Sequence, residues 1–141
     1  MPFIAKWPGK IKANTKSNAV INGTDLFATL AELLEIDMKE KYPELAPDSF
    51  SFYNCLINQS QEHQRPPMVV RDSIRIGDWK LISSRGKKEF NLLTSSDFEL
   101  YNLKNDIGEK NNIALSNPER VDEIYKEFKK YMNERKLKEN K

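Results

Sequence analysis

Cysteine and histidine are nearly missing from this chain of 141 residues, which has one of each, Cys55 and His63. A single cysteine permits no disulfide within the chain and no metal site built on thiolates, and a lone histidine gives little support for a zinc or proton-relay site. Long apolar runs are missing too, because no stretch reaches the roughly 18 residues of a membrane-spanning helix. These absences argue against a disulfide-stapled scaffold, a thiolate metal protein and a membrane span.

An excess of charge of one sign is also missing. The 23 lysines and arginines are matched by 21 aspartates and glutamates, so that the formal net charge is only +2. Such a balance does not favour nucleic acid as a partner, since nucleic-acid-binding proteins collect positive charge on one surface. With 38% hydrophobic and 31% charged residues, the composition is typical of a polar chain that folds around a core.

The chain opens with the apolar stretch "PFIAKW", which predicts a buried strand ending at the turn-forming pair Pro8-Gly9. A helix is predicted next, with Thr24 as a candidate N-cap and Asp25 in the first turn, where the helix dipole favours negative charge. Apolar residues recur along it at helical spacing and predict one buried stripe, formed by Leu26, Phe27, Leu30, Leu33 and Leu34. We expect the N-terminal strand either to pack on this helix or to be covered by another copy of the chain.

The best local signal is "SIRIGDWKLI", in which Gly77-Asp78 separates two alternating apolar runs. Glycine at the first central position suits a two-residue type II′ hairpin, which needs positive φ there. In the predicted register Ile76 faces Trp79, and Arg75 faces Lys80. The two cations could form an anion site or a solvated face, and we favour the solvated face.

Three further elements complete the predicted fold. "FELYNL" predicts a strand, and "NPERV" opens a helix with Asn117 as N-cap and Pro118 as the first helical residue. An apolar stripe at helical spacing should lie across the sheet, formed by Val121, Ile124, Tyr125, Phe128 and Met132. A short helix is expected around Phe52–Ile57. The predicted class is α+β, with a small antiparallel sheet (hairpin 73–82 plus strand 98–103) covered by a long C-terminal helix.

Six segments stand in order along the chain: "PFIAKWPGKI", "TDLFATLAELLEI", "PDSFSF", "IRIGDWKLI", "ELYNLKNDIGEKNNIA" and the helix from "NPERV". Together they resemble the C-terminal part of the sulfatase family, the arylsulfatase-like sulfuric ester hydrolases. The resemblance implies that 1–37 are the strand-helix end of a catalytic α/β domain like alkaline phosphatase. It further implies that 38–67 are a linker and loop, that 68–141 form a C-terminal subdomain, and that Met1 stands at a position internal in relatives.

In that family a Cys or Ser in a C/S-x-P-x-R motif becomes formylglycine, whose hydrate attacks the sulfate ester beside a calcium ion held by acidic side chains. The resemblance therefore implies formylglycine and calcium in the full-length proteins, and we expect neither in this chain. Cys55 lies in "CLINQ", which lacks the proline and the arginine, and is expected to be a buried small hydrophobic residue. "SNPER" at Ser116–Arg120 matches the short pattern, but the residues that follow depart from the family's longer motif.

Among the acidic residues, we interpret Asp25 as a helix cap and Asp48 and Asp106 as turn residues, so that no catalytic or metal-binding residue is assigned. Many relatives carry a histidine-rich stretch, which can line the substrate cleft, before the central hairpin. Here Arg71, Asp72 and Ser73 stand at that position. Arg71 is the one candidate for binding an anionic substrate, and an ordinary surface arginine is the alternative.

The resulting hypothesis is a C-terminal fragment of a sulfatase that packs on a catalytic domain and borders the substrate cleft, without catalysis of its own. The alternative is a stand-alone binding or interaction module derived from such a domain, and an independent enzyme is the least favoured interpretation. The expected partner is the N-terminal catalytic domain of a parent sulfatase, or a second copy paired through the exposed N-terminal strand. A sulfated substrate would be met only through the parent. Many relatives are periplasmic or extracellular, and this chain by itself indicates no compartment.

Overall fold

The structure, a computed structural model, describes residues 3–58, 63, 65–83 and 97–139 of the chain. In chain order its elements are α1 (Asp25–Leu33), α2 (Met38–Lys41), α3 (Tyr53–Ile57), β1 (Met68–Val70), β2 (Ser73–Ile76), β3 (Trp79–Ser83), β4 (Phe98–Asn102) and α4 (Pro118–Glu139). The chain divides into two compact units, which we call unit 1 (Met1–Arg65) and unit 2 (Pro66–Lys141). Unit 1 contains the first three helices, and unit 2 contains the strands and α4.

Unit 2 contains a four-stranded antiparallel sheet in the order β1-β2-β3-β4. Its centre is the predicted hairpin, in which Ile76 faces Trp79 and Arg75 faces Lys80. Gly77, at the first central position of the turn, has a φ of 56°. A type II′ turn requires this left-handed conformation, which glycine adopts without a Cβ clash. The predicted register is therefore confirmed.

Helix α4 covers one face of this sheet and begins at the predicted residue, Pro118. Strands, loop and helix together contribute the buried core, which consists of Ile74, Leu81, Phe98, Leu100, Ala114, Val121, Ile124, Tyr125 and Phe128. Met132 packs against the edge of this cluster. The rings of Phe98 and Tyr125 lie 4.8 Å apart in a tilted arrangement, which aromatic pairs favour over a face-to-face stack. The predicted α+β class and the covering C-terminal helix are confirmed.

The first strand, β1, was not among the predicted elements. It is three residues long and pairs Val70 with Ser73 across the two-residue turn Arg71-Asp72. A strand this short carries no readable alternation of apolar and polar residues. Only its pairing with β2 identifies it.

Helix α1 forms where the sequence predicts it, but the face that it buries within unit 1 is not the predicted apolar face. Its three buried residues are small or polar, namely Asp25, Thr29 and Ala31. The predicted stripe is partly exposed, since Leu26, Phe27, Leu30, Leu33 and Leu34 keep between 37% and 66% of their surface accessible. At about 3.6 residues per turn the two sets lie on opposite sides of the helix. The periodicity was predicted correctly, and the burial of the stripe was predicted wrongly.

Over Phe3–Trp7, the described residues of "PFIAKW", the predicted strand is not formed, so this part of the prediction is wrong. Residues Phe3–Trp7 pair with no strand in the described part of the chain, and a β-strand is stable only beside a neighbour that accepts and donates its backbone hydrogen bonds. Phe3 instead packs edge-to-face on Phe52, with ring centroids 5.4 Å apart, while Ile4 is 89% exposed. Phe52 directly precedes the short helix α3, which the sequence predicted.

Candidate functional site

Arg71, the candidate for binding an anionic substrate, lies exposed at the tip of the β1–β2 hairpin. Its φ of 51° is in the left-handed region, which a residue with a Cβ adopts at a cost of about 1 kcal/mol. Neighbouring bonds hold the turn: the Ser73 hydroxyl donates to the Val70 carbonyl over 2.9 Å, and the Ser83 N–H donates to the Asp72 carbonyl over 2.8 Å. The turn thus presents an arginine to solvent on a fixed and strained backbone, where its guanidinium can meet an anion.

Arg75 and Lys80 share the sheet face opposite α4, and both cations have partners. Lys80 Nζ donates to both carboxylate oxygens of Glu109, at 2.7 and 2.8 Å, and Arg75 Nε donates to a carbonyl of the hairpin turn at 3.0 Å. On the same face the Tyr101 hydroxyl donates to Glu99 at 2.9 Å. Burial and this carboxylate raise the pKa of Tyr101 to about 12. The face carries paired charges, which favours a structural role over an anion site.

Cys55 occupies a structural position. The residue is buried within α3, and burial raises the pKa of its thiol. Since the nucleophilic form of cysteine is the thiolate, a raised pKa keeps the side chain in its unreactive form. Cys55 therefore behaves as the small hydrophobic residue that the sequence indicates.

The "SNPER" match is the beginning of a helix. The Ser116 hydroxyl donates to the carbonyl of Ile113 over 3.1 Å, and Pro118 is the first residue of α4. Arg120, which completes the short pattern, pairs with Glu123 one turn further along the helix at 2.6 Å. These contacts are those of a helix start, in line with the asparagine-proline signal in the sequence.

Asp48 and Asp106 lie in or beside turns, as predicted. The Asp106 carboxylate accepts the N–H groups of Asn111 and Lys110 at 2.8 and 2.9 Å, and these bonds lower the pKa of its side chain. The carbonyl of Asp48 accepts a long, 3.4 Å hydrogen bond from Arg65. Within the described ranges, no three histidine, cysteine, aspartate or glutamate side chains come together as a metal-binding group.

A polar cluster of unit 1 surrounds Asp25, whose side chain is fully buried. Its carboxylate accepts from Arg65 Nε and Nη2 at 2.9 and 3.1 Å and from the N–H groups of Asn22 and Phe50 at 2.7 and 3.1 Å. Burial alone would raise the pKa of Asp25, but the hydrogen bonds from Arg65 and the two backbone groups outweigh it and lower the pKa. Asp25 lies in the first turn of α1, as predicted, and its carboxylate additionally joins that turn to Phe50 and Arg65. The residue is a buried anion whose four acceptor positions are used.

Ser49 bridges the first turn of α1 between the Ala28 N–H and the Thr24 carbonyl. Its hydroxyl accepts the N–H of Ala28, 21 residues away in sequence, at 2.9 Å and donates to the Thr24 carbonyl at 2.7 Å. Thr24, the predicted N-cap, makes no side-chain capping bond. One turn further on, the Thr29 hydroxyl accepts the N–H of Phe52 at 3.1 Å. These bonds tie the polar side of α1 to the segment before α3 and fix which face of the helix points into unit 1.

His63, set aside as a ligand because it is the single histidine, is a neighbour of this ion pair. Its Nε2 is buried and has no hydrogen-bond partner within the part of the chain that the structure describes. Burial lowers the pKa of His63, and the opposing charges of Asp25 and Arg65 act on it in opposite directions. The imidazole is therefore neutral at pH 7, and protonation would place a buried positive charge beside Arg65.

The Asp25 cluster serves as a cross-link between chain segments, since the carboxylate accepts from Arg65, Asn22 and Phe50. Arg65 lies 40 residues from Asp25 along the chain, in a stretch without helical or strand periodicity, and its side chain also lies 5.2 Å from the centre of the Phe50 ring. Sequence reasoning missed this pair because no local pattern links its members.

Comparison with known proteins supplies a family context. No family model matches the chain. An N-acetylgalactosamine-6-O-sulfatase of Bacteroides thetaiotaomicron is 32% identical over 136 residues, in an alignment that covers 88% of this chain and 25% of the relative. The chain thus spans about a quarter of the length of the curated relative that it matches, and the matched region is the relative's C-terminal part.

Solved structures resemble the chain over the same share of its length. One is a Bacteroides thetaiotaomicron structure, 6S-sulf, from work on the metabolism of multiple glycosaminoglycans. It matches this chain with a TM-score of 0.66 and 30% sequence identity, and the match covers 89% of this chain and 27% of the 6S-sulf chain. The crystal structure of Ps i-CgsB has a TM-score of 0.64 and 22% identity with the same coverage, a likeness that concerns the fold alone. None of the helices in the described ranges combines the length and apolar character needed to cross a membrane.

Proposed function

We propose, on the premise that this chain corresponds in sequence and fold to the C-terminal part of sulfatases, that it packs on a sulfatase catalytic domain and borders the substrate cleft. The observation that carries the proposal is the match to one quarter of an N-acetylgalactosamine-6-O-sulfatase, which leaves the other three quarters without a counterpart here. In this proposal residues 1–37 complete the catalytic α/β domain, 38–67 link the two parts, and 68–141 are the C-terminal subdomain.

The proposal assigns no independent catalysis to the chain, and the described side chains support this. Burial holds the thiol of Cys55 protonated, and Ser116 belongs to a helix start. The Asp25 carboxylate does not fit a calcium ligand, because Arg65 and backbone N–H groups already use its acceptor positions. Calcium and formylglycine would therefore belong to the catalytic domain, where a cation and fixed donors can offset the charge of the sulfate ester.

We further infer that Arg71 meets an anionic group of the substrate at the edge of the cleft. Its backbone is left-handed, and glycine would occupy this turn at lower cost, so an arginine here is unfavourable for folding alone. A guanidinium offers a planar fork of donors that matches sulfate or carboxylate oxygens. The name of the relative, an N-acetylgalactosamine-6-O-sulfatase, suggests a sulfated sugar as the substrate class.

A fusion protein tests this function. In it the chain replaces the matched quarter of the Bacteroides thetaiotaomicron sulfatase, and sulfate release from N-acetylgalactosamine 6-sulfate is measured with calcium present. We expect the fusion to be soluble and active, while the chain alone hydrolyses neither this substrate nor an aryl sulfate. In the fusion, Arg71→Ala should raise KM several-fold with kcat within about twofold, because a ground-state contact is lost. The matched control, Arg75→Ala, should leave KM unchanged.

Two results would contradict the proposal. Turnover by the chain alone, above the background of a mock purification, would make it an enzyme in its own right. An insoluble or inactive fusion, together with a stable and monomeric isolated chain, would favour the alternative of a stand-alone binding module.

A further inference from the structure

The outward side of α1 carries five large apolar side chains, Leu26, Phe27, Leu30, Leu33 and Leu34, which we call the α1 stripe. Leu30 and Leu34 are 54% and 66% exposed, and the other three keep between 37% and 44% of their surface accessible. Proteins seldom leave a contiguous apolar patch on the order of a few hundred Å² open to water unless something binds it. A single exposed leucine needs no explanation, but a whole helix face of them does.

The orientation of α1 is fixed by strong polar contacts. The opposite side of the helix holds the buried Asp25, which receives two hydrogen bonds from Arg65, and Thr29, which accepts the N–H of Phe52. Rotating the stripe inward would separate the carboxylate from the guanidinium and leave buried polar groups unpaired, which is among the most unfavourable changes a protein interior can undergo. The polar contacts within unit 1 therefore keep the α1 stripe on the outside of the helix.

We propose that the α1 stripe is the surface by which this chain docks on the catalytic domain of its parent sulfatase, and that the occupant is an apolar face of that domain's α/β layers. This inference rests on the function proposed above. An apolar helix stripe is the surface that covers a sheet or a neighbouring helix in layered α/β domains. None of the five side chains is charged, so the stripe offers no cation to a sulfated glycan or a phosphate backbone.

The size of the stripe favours this occupant over a second copy of the chain. A stable association of two free proteins buries about 800 Å² on each partner, and a helix of nine residues offers only part of that area. Docking within one parent protein needs less, because the connection between the parts holds them at a high effective concentration. A short stripe is therefore sufficient inside a larger protein and weak between separate chains.

A matched pair of substitutions tests the assignment. Leu30 in the stripe and Leu45 outside α1 are both leucines and are both 54% exposed. In the fusion with the Bacteroides thetaiotaomicron sulfatase, Leu30→Glu should lower the Tm by about 5 °C and reduce the soluble yield, since it places a charge in an apolar contact. Leu45→Glu should change neither quantity. In the isolated chain, both variants should melt within about 2 °C of the parent sequence, because both side chains there are already half in water.

The outcomes separate this inference from the function on which it rests. If the wild-type fusion is active and Leu30→Glu melts like Leu45→Glu, the α1 stripe is not the docking surface, while the proposed function stands. If the wild-type fusion is insoluble or inactive, both fall. If the isolated chain forms a dimer that Leu30→Glu dissociates while the fusion is unaffected, the stripe belongs to a second copy, and the docking assignment is overturned.

Discussion

Units 1 and 2 each contain an amphipathic helix, but the apolar face is buried in one helix and exposed to solvent in the other. In unit 2, α4 buries Val121, Ile124 and Phe128 to 3% exposure or less against the sheet. In unit 1, the α1 stripe is exposed to solvent, and the buried residues of α1 include Asp25 and Thr29. The two sequences have the same kind of periodicity. Periodicity thus tells which residues share a face and leaves open what covers that face.

The difference follows from what each unit offers its helix. Unit 2 brings together a four-stranded sheet with one apolar face, so that burying the α4 stripe removes both surfaces from water at once. Unit 1 has no strand among its described residues and instead ties α1 down by hydrogen bonds and one buried ion pair. A polar interior of this kind fixes orientation strongly but buries little apolar area.

The largest expected effect contrasts the two helices directly. Phe128→Ala should destabilise unit 2 by about 3–5 kcal/mol, because the ring is fully buried and its removal leaves a cavity. Leu30→Ala should cost at most about 0.5 kcal/mol in unit 1, since the side chain is half in water already. Each unit contains one tryptophan, Trp7 or Trp79, so urea unfolding in single-tryptophan variants reports on each unit separately. Equal losses for the two substitutions would mean that α1 buries its stripe in solution.

The next effect concerns the polar interior of unit 1. Arg65→Met should destabilise that unit by about 3 kcal/mol, because it leaves the buried Asp25 carboxylate without its cation. The control is Arg75→Met in unit 2, where the arginine donates to a turn carbonyl. This substitution should lower the free energy of unfolding by less than about 1 kcal/mol. The double variant Asp25→Leu with Arg65→Met should recover part of the loss. Urea unfolding measures all three variants, followed by Trp7 fluorescence for the two unit 1 variants and by Trp79 fluorescence for Arg75→Met. A loss for Arg65→Met no larger than for Arg75→Met would contradict a stabilising ion pair.

The smallest effect is a difference in pH response between the units. His63 has a folded pKa below its usual 6.5, so the unfolded chain binds the proton first and the stability of unit 1 should decline as the pH falls below about 6.5. Asp25 has a folded pKa below its usual 3.8, and a second decline should follow as the pH falls through that region. Urea midpoints from Trp7 and Trp79 between about pH 8 and pH 3 measure both units. His63→Gln should remove the first decline only, and an unchanged profile in that variant would contradict the assignment.

Much of unit 2 could be predicted because its signals are local. The Gly77-Asp78 turn sets the register of the hairpin, and Asn117-Pro118 marks the start of α4. The short strand β1 was missed, since three residues carry too little pattern. In unit 1, the hydrogen bond between Ser49 and the first turn of α1 and the pairing of Asp25 with Arg65 are contacts across 21 and 40 residues. No spacing rule encodes contacts of that kind.

By itself, the sequence determined the helix and strand periodicities and the central hairpin register, because each of these depends on residues that are neighbours along the chain. It also determined the likeness to the C-terminal part of sulfatases, because that likeness depends on the order of short segments. Only the tertiary structure decided which face of α1 is buried, because that choice depends on whether a buried carboxylate finds four donors from distant segments. It also decided that Phe3–Trp7 form no strand, because a strand is defined by its neighbour, and the described part of this chain contains none for them.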